Sequence, residues 1–356
     1  MSLLERIRPE LAAFAPYASA RRSGLVAPIR LDANECPWPP HGSDAGAALN
    51  RYPAPQPEAL RARLAALYGV DAARLWLGRG SDEAIDLLLR AFCRAGCDNV
   101  VAHAPTFGFY RIAAQLQGAD YRALPLDADA GFALDAERLL ALADADTKLV
   151  VVCSPNNPTG TLHHGEPLRR LAEGLAGRAL LLVDEAYVEF AGVESAAALL
   201  DRYDNVAVLR TLSKAHALAG ARIGALVARE PIVDLLARIA APYPLPAPSA
   251  DAALAALEPA ALARTRERIA ALCAERARVA QALQALPAVC RVWPSAGNFL
   301  LVRFADAAAT FGRALAAGIL LRDVSAQPGL AQCLRITIGR REENDALLAA
   351  LAGAVR

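Results

Sequence analysis

Lysine is almost absent from this sequence of 356 residues, although basic residues are not. Of its 38 lysine and arginine residues, 36 are arginine, and only Lys148 and Lys214 are lysine. A guanidinium group stays protonated and is a poor nucleophile, so arginine cannot replace lysine where the chemistry needs a primary amine. Each of the two lysines is therefore a candidate for such a position.

The sequence also lacks an excess of one charge and lacks long apolar runs. Its 38 basic residues face 37 acidic ones, which argues against nucleic acid or an anionic membrane as a main partner. No apolar run approaches the ~18 residues that a membrane helix needs. Charged residues near the start, such as Glu5 and Arg6, leave no room for an apolar signal region. We therefore expect a cytoplasmic protein.

Cysteine and histidine are sparse and scattered. The seven cysteines are an odd number without a C-x-x-C spacing, so neither a disulfide framework nor a metal site is indicated, and we expect buried free thiols. The adjacent His163 and His164 have no acidic or thiol partner near them in the sequence, and we expect both to be solvated. We assign no role to Cys36 or His216.

Apolar residues are abundant, at 55% of the chain, and a chain of this length predicts about two domains. Short apolar runs typical of strands alternate with amphipathic segments typical of helices, such as Asp82–Arg94 and Glu166–Leu175. This alternation favours βαβ units and a mostly parallel, buried sheet. The predicted strands are Leu75–Leu77, Val100–His103, Leu149–Cys153, Ala179–Val183 and Val206–Leu209.

A proline-rich stretch, IAAPYPLPAPS at residues 239–249, indicates a boundary between domains. After it come a long helical pattern, about Ala260 to Leu286, two candidate strands, Asn298–Phe304 and Leu334–Ile338, and a last helix. We expect the N-terminal arm to pack with the small domain. The expected parts are an arm over 1–30, a large α/β domain over 31–245 and a smaller α+β domain over 246–356.

Four segments near the ends of these elements carry reactive or polar residues. Lys214 follows an apolar strand directly, either as a residue of a surface turn or as the amine of a Schiff base. Asp184 ends the strand LLVD at the carboxyl edge of the sheet, where it either faces a cationic ligand or caps a helix. The turn 154–160 has more asparagine amides than a turn needs. The segment 78–83 presents N–H groups at a helix start, a weak signal for an anion site.

Taken together with five further motifs, in order along the chain, these four segments are far more specific than any one of them. The nine motifs are LDANE, RYP, GRGSDE, PTFGFY, SPNNPTG, DEAY, TLSKAHALAGARIG, LRD and LRITIG. In this order the sequence resembles the fold-type I, class II aminotransferases that use pyridoxal 5′-phosphate, from about Tyr17 to Gly339. Within that family it most resembles the histidinol-phosphate aminotransferases, because RYP is paired with PYPL after the large domain. The resemblance implies a large cofactor-binding domain, with a mostly parallel mixed sheet flanked by helices, and a smaller α+β domain.

The resemblance also implies a role at the cofactor for each matching residue. Lys214 would form a Schiff base with the cofactor and later move the proton at the substrate Cα. Asp184 would pair with the pyridinium nitrogen and keep the ring protonated. Tyr52 would reach the phosphate of the neighbouring subunit, which implies a homodimer. The other implied contacts are hydrogen bonds to the phenolic oxygen from Asn157 and Tyr187, ring stacking by Phe107, and phosphate binding by Gly80, Ser81, Asp82, Ser213 and Arg222.

The implied reaction is a two-step transamination in histidine biosynthesis. L-Histidinol phosphate would become imidazole-acetol phosphate and leave its amino group on the cofactor, and 2-oxoglutarate would then take up this group as L-glutamate. Arg335 would bind the substrate phosphate and later the glutamate carboxylate, with Asn157, Arg322 and Tyr17 also at the substrate. Lys148 is then expected at the surface.

Three other functions remain open from the sequence. An aromatic-amino-acid aminotransferase and a threonine-phosphate decarboxylase share the fold and the cofactor motifs, because the cofactor supplies the chemistry in all of them. A noncatalytic regulator on this fold would carry an appended DNA-binding region, for which the stretch of about 30 residues before the first motif is too short. Lys214, Asp184 and Arg335 are all present, which favours an enzyme.

Overall fold

The computed structural model describes residues 3–12, 14–15, 29–40 and 49–352. Seven strands of this part form one large sheet: β1 Leu75–Gly78, β2 Asn99–Ala104, β3 Asp120–Pro125, β4 Thr147–Cys153, β5 Leu180–Asp184, β6 Val206–Thr211 and β7 Gly224–Ala228. Their order across the sheet is β1-β7-β6-β5-β4-β2-β3. Neighbouring strands are parallel except at β7, which runs antiparallel to both β1 and β6.

Apolar side chains cover both faces of this sheet. On β4, Val150 and Val152 belong to one buried cluster, and Leu149 and Val151 belong to a second cluster on the other face. Because side chains alternate across a strand, a strand that is covered on both faces must be apolar throughout. This explains the continuous apolar runs in the sequence, and it confirms the prediction of a mostly parallel, buried sheet.

Helices of the described part pack on the two faces of this sheet or on a smaller sheet later in the chain, and none of them is both long and apolar enough to cross a membrane. They are α1 Pro9–Ala12, α2 Glu58–Tyr68, α3 Ser81–Phe92, α4 Phe109–Gln117, α5 Ala136–Ala141, α6 Glu166–Gly174, α7 Glu230–Ile239, α8 Ala247–Ala256, α9 Pro259–Gln284, α10 Ala307–Ala316 and α11 Arg341–Ala352. Helix α2 places Leu60 and Leu64 in the first cluster, and α3 places Leu88 and Phe92 in the second. Each pair is four residues apart and so shares one helix face.

A smaller sheet follows in the chain, built from β8 Val289–Val292, β9 Phe299–Phe304, β10 Arg322–Asp323 and β11 Cys333–Thr337. These strands are antiparallel and lie in the order β10-β11-β9-β8. Val279 of α9, Ala314 of α10 and Leu347 of α11 pack in one cluster with the sheet. The predicted smaller α+β domain is confirmed.

The proline-rich stretch lies between α7 and α8. Helix α8 follows the predicted boundary, yet its Ala250 and Ala253 belong to the same cluster as Leu60 and Leu64 of the large domain. The position of the boundary between residues 245 and 246 therefore stays a prediction.

The described part of the N-terminal arm packs against the large domain. Ile7 and Leu11 lie on the cluster that contains α3, and the backbone N–H of Arg8 donates a hydrogen bond to the carbonyl oxygen of Ala91 at 2.9 Å. The expectation that the arm packs with the small domain is wrong for these residues, because the apolar surface that covers their side chains belongs to the large sheet. Tyr17 lies outside the described residues.

Two predictions about polar residues are also wrong. Lys148 is buried in β4 rather than at the surface, and its Nζ lies 3.4 Å from the carboxylate of Asp98. Apolar clusters cover both faces of β4, so its side chains are shielded from solvent on either side of the sheet. His163 is buried with its ring centroid 5.2 Å from that of His103, and only His164 is exposed as expected.

All seven cysteines are free thiols. The expectation of burial is correct for three of them and wrong for three others, while Cys273 is half-buried. The buried thiols are those of Cys93, Cys153 and Cys333, and the exposed ones are those of Cys36, Cys97 and Cys290.

Candidate active site

A cavity of about 640 Å³ lies at the carboxyl edge of the large sheet, between this edge and the small sheet. The strands β4, β5 and β6 run parallel, so the segments that follow them meet at this edge. All the predicted site residues except Tyr52 and Tyr17 line this cavity. The predicted residues that line it are Gly80, Ser81, Asp82, Phe107, Asn157, Asp184, Tyr187, Ser213, Lys214, Arg222, Arg322 and Arg335.

Asp184 forms the floor of the cavity at the end of β5. It is only 3% exposed, and it accepts hydrogen bonds from Tyr110 Oη at 2.6 Å and from the backbone N–H of Ala186 at 3.1 Å. Burial raises the pKa of its carboxyl group, and these two hydrogen bonds oppose the rise. A buried carboxylate at a cavity wall favours a cationic ligand group, such as a protonated ring nitrogen.

Lys214 follows β6 and reaches into the same cavity. Its Nζ lies 5.6 Å from the ring centroid of Tyr187, which is buried and packs edge-on against Phe299. The side chain is open to the cavity, and desolvation there, followed by the charge of Arg335, lowers the pKa of its amine. Because Lys148 is enclosed in β4, Lys214 is the lysine that can act on a ligand.

The start of α3 forms a cradle for an anion. Gly80 precedes the helix with φ of +85°, and a Cβ atom there would lie 2.4 Å from Nη2 of Arg222. On the other side, a Cβ atom on Gly224 would lie 2.2 Å from the backbone nitrogen of Ser81. Glycine is therefore needed at both positions, so that the guanidinium group and the N–H groups of the first helical turn approach one point. Such a point binds a phosphate group.

Two side chains complete this cradle. Arg222 donates hydrogen bonds to the carboxylate of Asp82 at 3.1 Å and to Ser213 Oγ at 3.5 Å. The hydroxyl groups of Ser213 and Thr211 are hydrogen-bonded at 2.9 Å. Arg222 is also held in the left-handed backbone region, with φ of +58°, a strained conformation that is typical of functional positions. The cradle thus fits the phosphate group of pyridoxal phosphate.

Two arginines of the small sheet face the other side of the cavity. Arg322 on β10 is paired in register with Arg335 on β11, so two cations lie side by side. Among the described residues neither guanidinium group forms an ion pair with a carboxylate. Burial, followed by the charge of Arg322, lowers the pKa of Arg335. Two adjacent guanidinium groups can together bind a phosphate or a carboxylate group, and they belong to the small sheet, whereas the cradle lies at the start of α3.

The cavity wall also includes residues that the sequence analysis did not single out. Thr211 lies three residues before Lys214 in a motif that was already recognised, so it could have been found by its position. Tyr110, the last residue of the motif PTFGFY, does not line the cavity but donates a hydrogen bond to Asp184, which does. Gln327 and Val324 follow Arg322 in a loop with no distinctive pattern. The remaining unpredicted wall residues are Thr106, Gly108, Phe109, Ile112, Cys153, Ala186 and Ala219.

Tyr52 lies on a different part of the surface. It is 49% exposed, and its ring stacks on that of Tyr243 with centroids 4.5 Å apart. The two tyrosines belong to the RYP and PYPL segments that the sequence analysis paired. Tyr52 does not line the cavity of its own chain, so its role at a neighbouring subunit stays a prediction.

Comparison with known proteins gives consistent matches. The family model for aminotransferase class I and II matches residues 23–351. The histidinol-phosphate aminotransferase of Stenotrophomonas maltophilia (strain R551-3) is 52% identical over 352 residues, which cover 98% of this chain and 96% of the relative.

Solved structures of the same fold match as well. A histidinol-phosphate aminotransferase from Sinorhizobium meliloti, in complex with pyridoxal-5′-phosphate, is 28% identical with a TM-score of 0.77, covering 85% of this chain and 82% of that chain. An L-threonine-O-3-phosphate decarboxylase from Porphyromonas gingivalis is 25% identical with a TM-score of 0.73, and the match covers 86% of this chain and 90% of the decarboxylase chain. The fold alone therefore does not separate transamination from decarboxylation.

Proposed function

Because the chain belongs to the class I and II aminotransferase family, we propose that it transfers the amino group of L-histidinol phosphate to 2-oxoglutarate in histidine biosynthesis, with pyridoxal 5′-phosphate as cofactor. The products are imidazole-acetol phosphate and L-glutamate. The observation that carries the proposal is the cavity itself. Its lining contains Lys214, Asp184, the cradle at the start of α3 and the two arginines of the small sheet, which supports one position for the cofactor phosphate and another for the phosphate of the substrate.

Similarity along the whole chain selects this substrate among the alternatives. Curated relatives at about 50% identity, over 98% of the chain, are histidinol-phosphate aminotransferases. The decarboxylase resembles the chain at 25% identity, half as much. An aromatic-amino-acid aminotransferase or a threonine-phosphate decarboxylase is therefore not favoured.

The residues of the cavity fit the cofactor at both of its ends. The cradle of Gly80, Ser81 and Arg222 would hold the phosphate, and Asp184 would hold the ring nitrogen. Phe107 would stack on the ring, and Tyr187 and Asn157 would donate hydrogen bonds to its phenolic oxygen. When bound, the cofactor supplies a cationic ring that accepts the electron pair released as the substrate Cα loses its proton.

Lys214 performs the proton transfer. Its lowered pKa favours the neutral amine, which would hold the cofactor as a Schiff base and, when free, would accept the proton of the substrate Cα at Nζ. Asp184 carries the charge that keeps the ring nitrogen protonated. Arg335 and Arg322 bind the substrate phosphate and, in the second half of the reaction, a carboxylate of 2-oxoglutarate.

We also propose that the enzyme acts in the cytoplasm as a homodimer. The surface position of Tyr52, stacked on Tyr243 outside its own cavity, supports a role at the site of a second copy. The seven free thiols fit a reducing compartment.

A half-reaction tests the substrate directly. The cofactor-loaded protein is titrated with L-histidinol phosphate without an acceptor, and its visible spectrum is followed. We expect conversion to the amine form of the cofactor, and recovery of the original spectrum with formation of L-glutamate after 2-oxoglutarate is added. Release of carbon dioxide from threonine phosphate, or faster conversion with phenylalanine or tyrosine, would instead assign one of the alternatives.

The two lysines provide a matched pair of variants. Lys214→Ala should abolish turnover and the visible absorbance of the lysine-bound cofactor. Lys148→Met should keep both the turnover and the visible absorbance. It should lower the free energy of unfolding only in part, because Asp98 loses Lys148 but keeps Arg94 as a cationic partner. Turnover in the Lys214→Ala variant would refute the mechanism.

A further inference from the structure

Tyr110 on α4 connects two of the cofactor positions. Its side chain is 1% exposed, and its Oη donates a hydrogen bond to Oδ2 of Asp184 at 2.6 Å. Its ring lies nearly perpendicular to that of Phe107, with centroids 5.5 Å apart and an interplanar angle of 86°. Phe107 occupies the ring-stacking position, so Tyr110 contacts both the residue above the cofactor ring and the residue at its nitrogen.

Each carboxylate oxygen of Asp184 accepts a hydrogen bond from a different donor. Oδ1 accepts from the backbone N–H of Ala186 and Oδ2 from Tyr110. Both bonds favour the ionised carboxylate, which accepts, over the protonated acid. Burial acts in the opposite direction, because a charge is costly to place away from water. The titratable groups that face Asp184 are Tyr110, Cys153, Tyr187, Lys214 and Asp82.

Among these groups, Tyr110 is the one whose side chain donates to the carboxylate. Lys214 acts on Asp184 only through its charge, and Asp82 acts against ionisation by repulsion. Burial and the negative charge of Asp184 raise the pKa of Tyr110, so its hydroxyl stays protonated and remains a donor. Loss of this hydroxyl would leave the backbone of Ala186 as the remaining hydrogen-bond donor.

We propose that Tyr110 is a positioning residue that keeps Asp184 ionised and oriented, so that Asp184 can hold a proton on the ring nitrogen of the cofactor. This rests on the proposed function only in placing the cofactor nitrogen at Asp184. The same bond orients the carboxylate before the cofactor binds, because it is formed within the protein alone. Tyr110 touches neither the substrate nor the reacting atoms, and it acts through Asp184.

The Tyr110→Phe variant tests the proposal, because it removes one oxygen atom and keeps the ring against Phe107. The matched control is Tyr121→Phe, since Tyr121 packs on the same cluster, whereas Tyr110 is the tyrosine that donates a hydrogen bond to Asp184. The first readout uses the protein without cofactor. Infrared difference spectra against pH follow protonation of a buried carboxyl group, and the Asp184→Asn variant identifies the band.

We expect the Asp184 carboxyl group to take up its proton at higher pH in Tyr110→Phe than in the wild type or in Tyr121→Phe. With cofactor added, the dissociation constant should rise on the order of 10- to 100-fold, as for loss of a hydrogen bond to a charged group. kcat should fall by a similar factor while KM for the amine stays within about threefold. A fluorinated tyrosine at position 110 is a stronger donor and should shift the carboxyl titration in the opposite direction.

Two results would overturn the proposal. One is a carboxyl titration in Tyr110→Phe that coincides with that of the wild type, and the other is a titration that does not respond to the fluorinated tyrosine. If Tyr110→Phe does not fold, the carboxyl titration of the protein with fluorinated tyrosine at position 110 is by itself the test of the proposal. Failure of the proposed function would look different, since the wild type would then not react with L-histidinol phosphate while its carboxyl titration remained unaffected.

Discussion

Arg335 donates a hydrogen bond to the side-chain oxygen of Asn157, although 178 positions separate the two residues in the chain. Arg335 belongs to the small sheet, and Asn157 belongs to the turn after β4 of the large sheet. The bond occupies the amide oxygen of Asn157 and thereby orients its NH₂ group as a donor toward the cavity. The arginine proposed to bind the substrate phosphate is therefore hydrogen-bonded to the asparagine proposed to contact the cofactor.

Replacing Arg335 should mainly weaken substrate binding. Arg335→Gln should raise KM for L-histidinol phosphate by roughly 10- to 100-fold, the loss expected for hydrogen bonds between charged groups. Steady-state kinetics with L-histidinol phosphate and with L-histidinol, which lacks the phosphate, separate this effect from a general loss of activity. Arg303→Gln is the control, since Arg303 lies on the same sheet but outside the cavity. An equal loss for both substrates would contradict the assigned role.

The charge of Arg335 should also be visible in the titration of Lys214. It lowers the pKa of the Lys214 amine, whereas Asp82 raises it. Arg335→Gln should therefore move this pKa upward, Asp82→Asn should move it downward, and Arg335→Lys should leave it near the wild-type value. With only two lysines in the chain, reductive methylation with ¹³C formaldehyde gives few NMR signals to follow against pH in the cofactor-free protein. Shifts of the same sign in both neutralising variants would contradict this electrostatic description.

The glycine before α3 should be essential for binding phosphate. Gly80→Ala places a Cβ atom against Nη2 of Arg222 and requires a strained positive φ. We expect weaker binding of pyridoxal phosphate, by roughly tenfold or more, but little change for pyridoxal, which has no phosphate. Fluorescence titration measures both affinities. Gly220→Ala is the control, because that position on the Arg222 loop has open space around it. An equal loss of affinity for both ligands would contradict the assignment of the cradle as the phosphate-binding site.

Two buried histidines should limit stability in mild acid. Burial lowers the pKa of His103 to about 4 and that of His163 well below its usual value of 6.5. The unfolded chain therefore binds protons that the folded chain does not, and stability falls as the pH drops below about 6.5. His163→Gln should reduce the loss between pH 7.5 and 5 by up to about 2 kcal/mol. Denaturant unfolding at several pH values measures this, with the exposed His164→Gln as control.

The sequence allowed the residues at the carboxyl edge of the large sheet to be predicted. Asp184 and Lys214 each follow an apolar strand, and parallel strands bring their ends together. The glycine turn before α3 was recognisable for a similar reason, because helix starts carry free N–H groups. These predictions needed only local patterns and one rule of sheet geometry.

Other features depend on partners that are far away in the chain. Lys148 is buried because Asp98 neutralises it, and nothing near Lys148 in the sequence shows that pairing. His163 is buried against His103, 60 positions away in the chain. Tyr110 reaches Asp184 across 74 positions, which is why its hydroxyl had no assigned role. Local patterns predict elements and their ends, but contacts between distant side chains follow from packing.

Strand β1 lies at an edge of the large sheet, and its neighbour there is β7, the last strand of that sheet in the chain. A ribosome makes Leu75–Gly78 early, yet their pairing partners Gly224–Ala228 emerge only well past the middle of the chain. The turn at Gly80 packs directly against Gly224, so this turn also cannot reach its final packing until Gly224 has been synthesised. We therefore expect that a nascent chain cannot bind pyridoxal 5′-phosphate until most of the large domain has been synthesised.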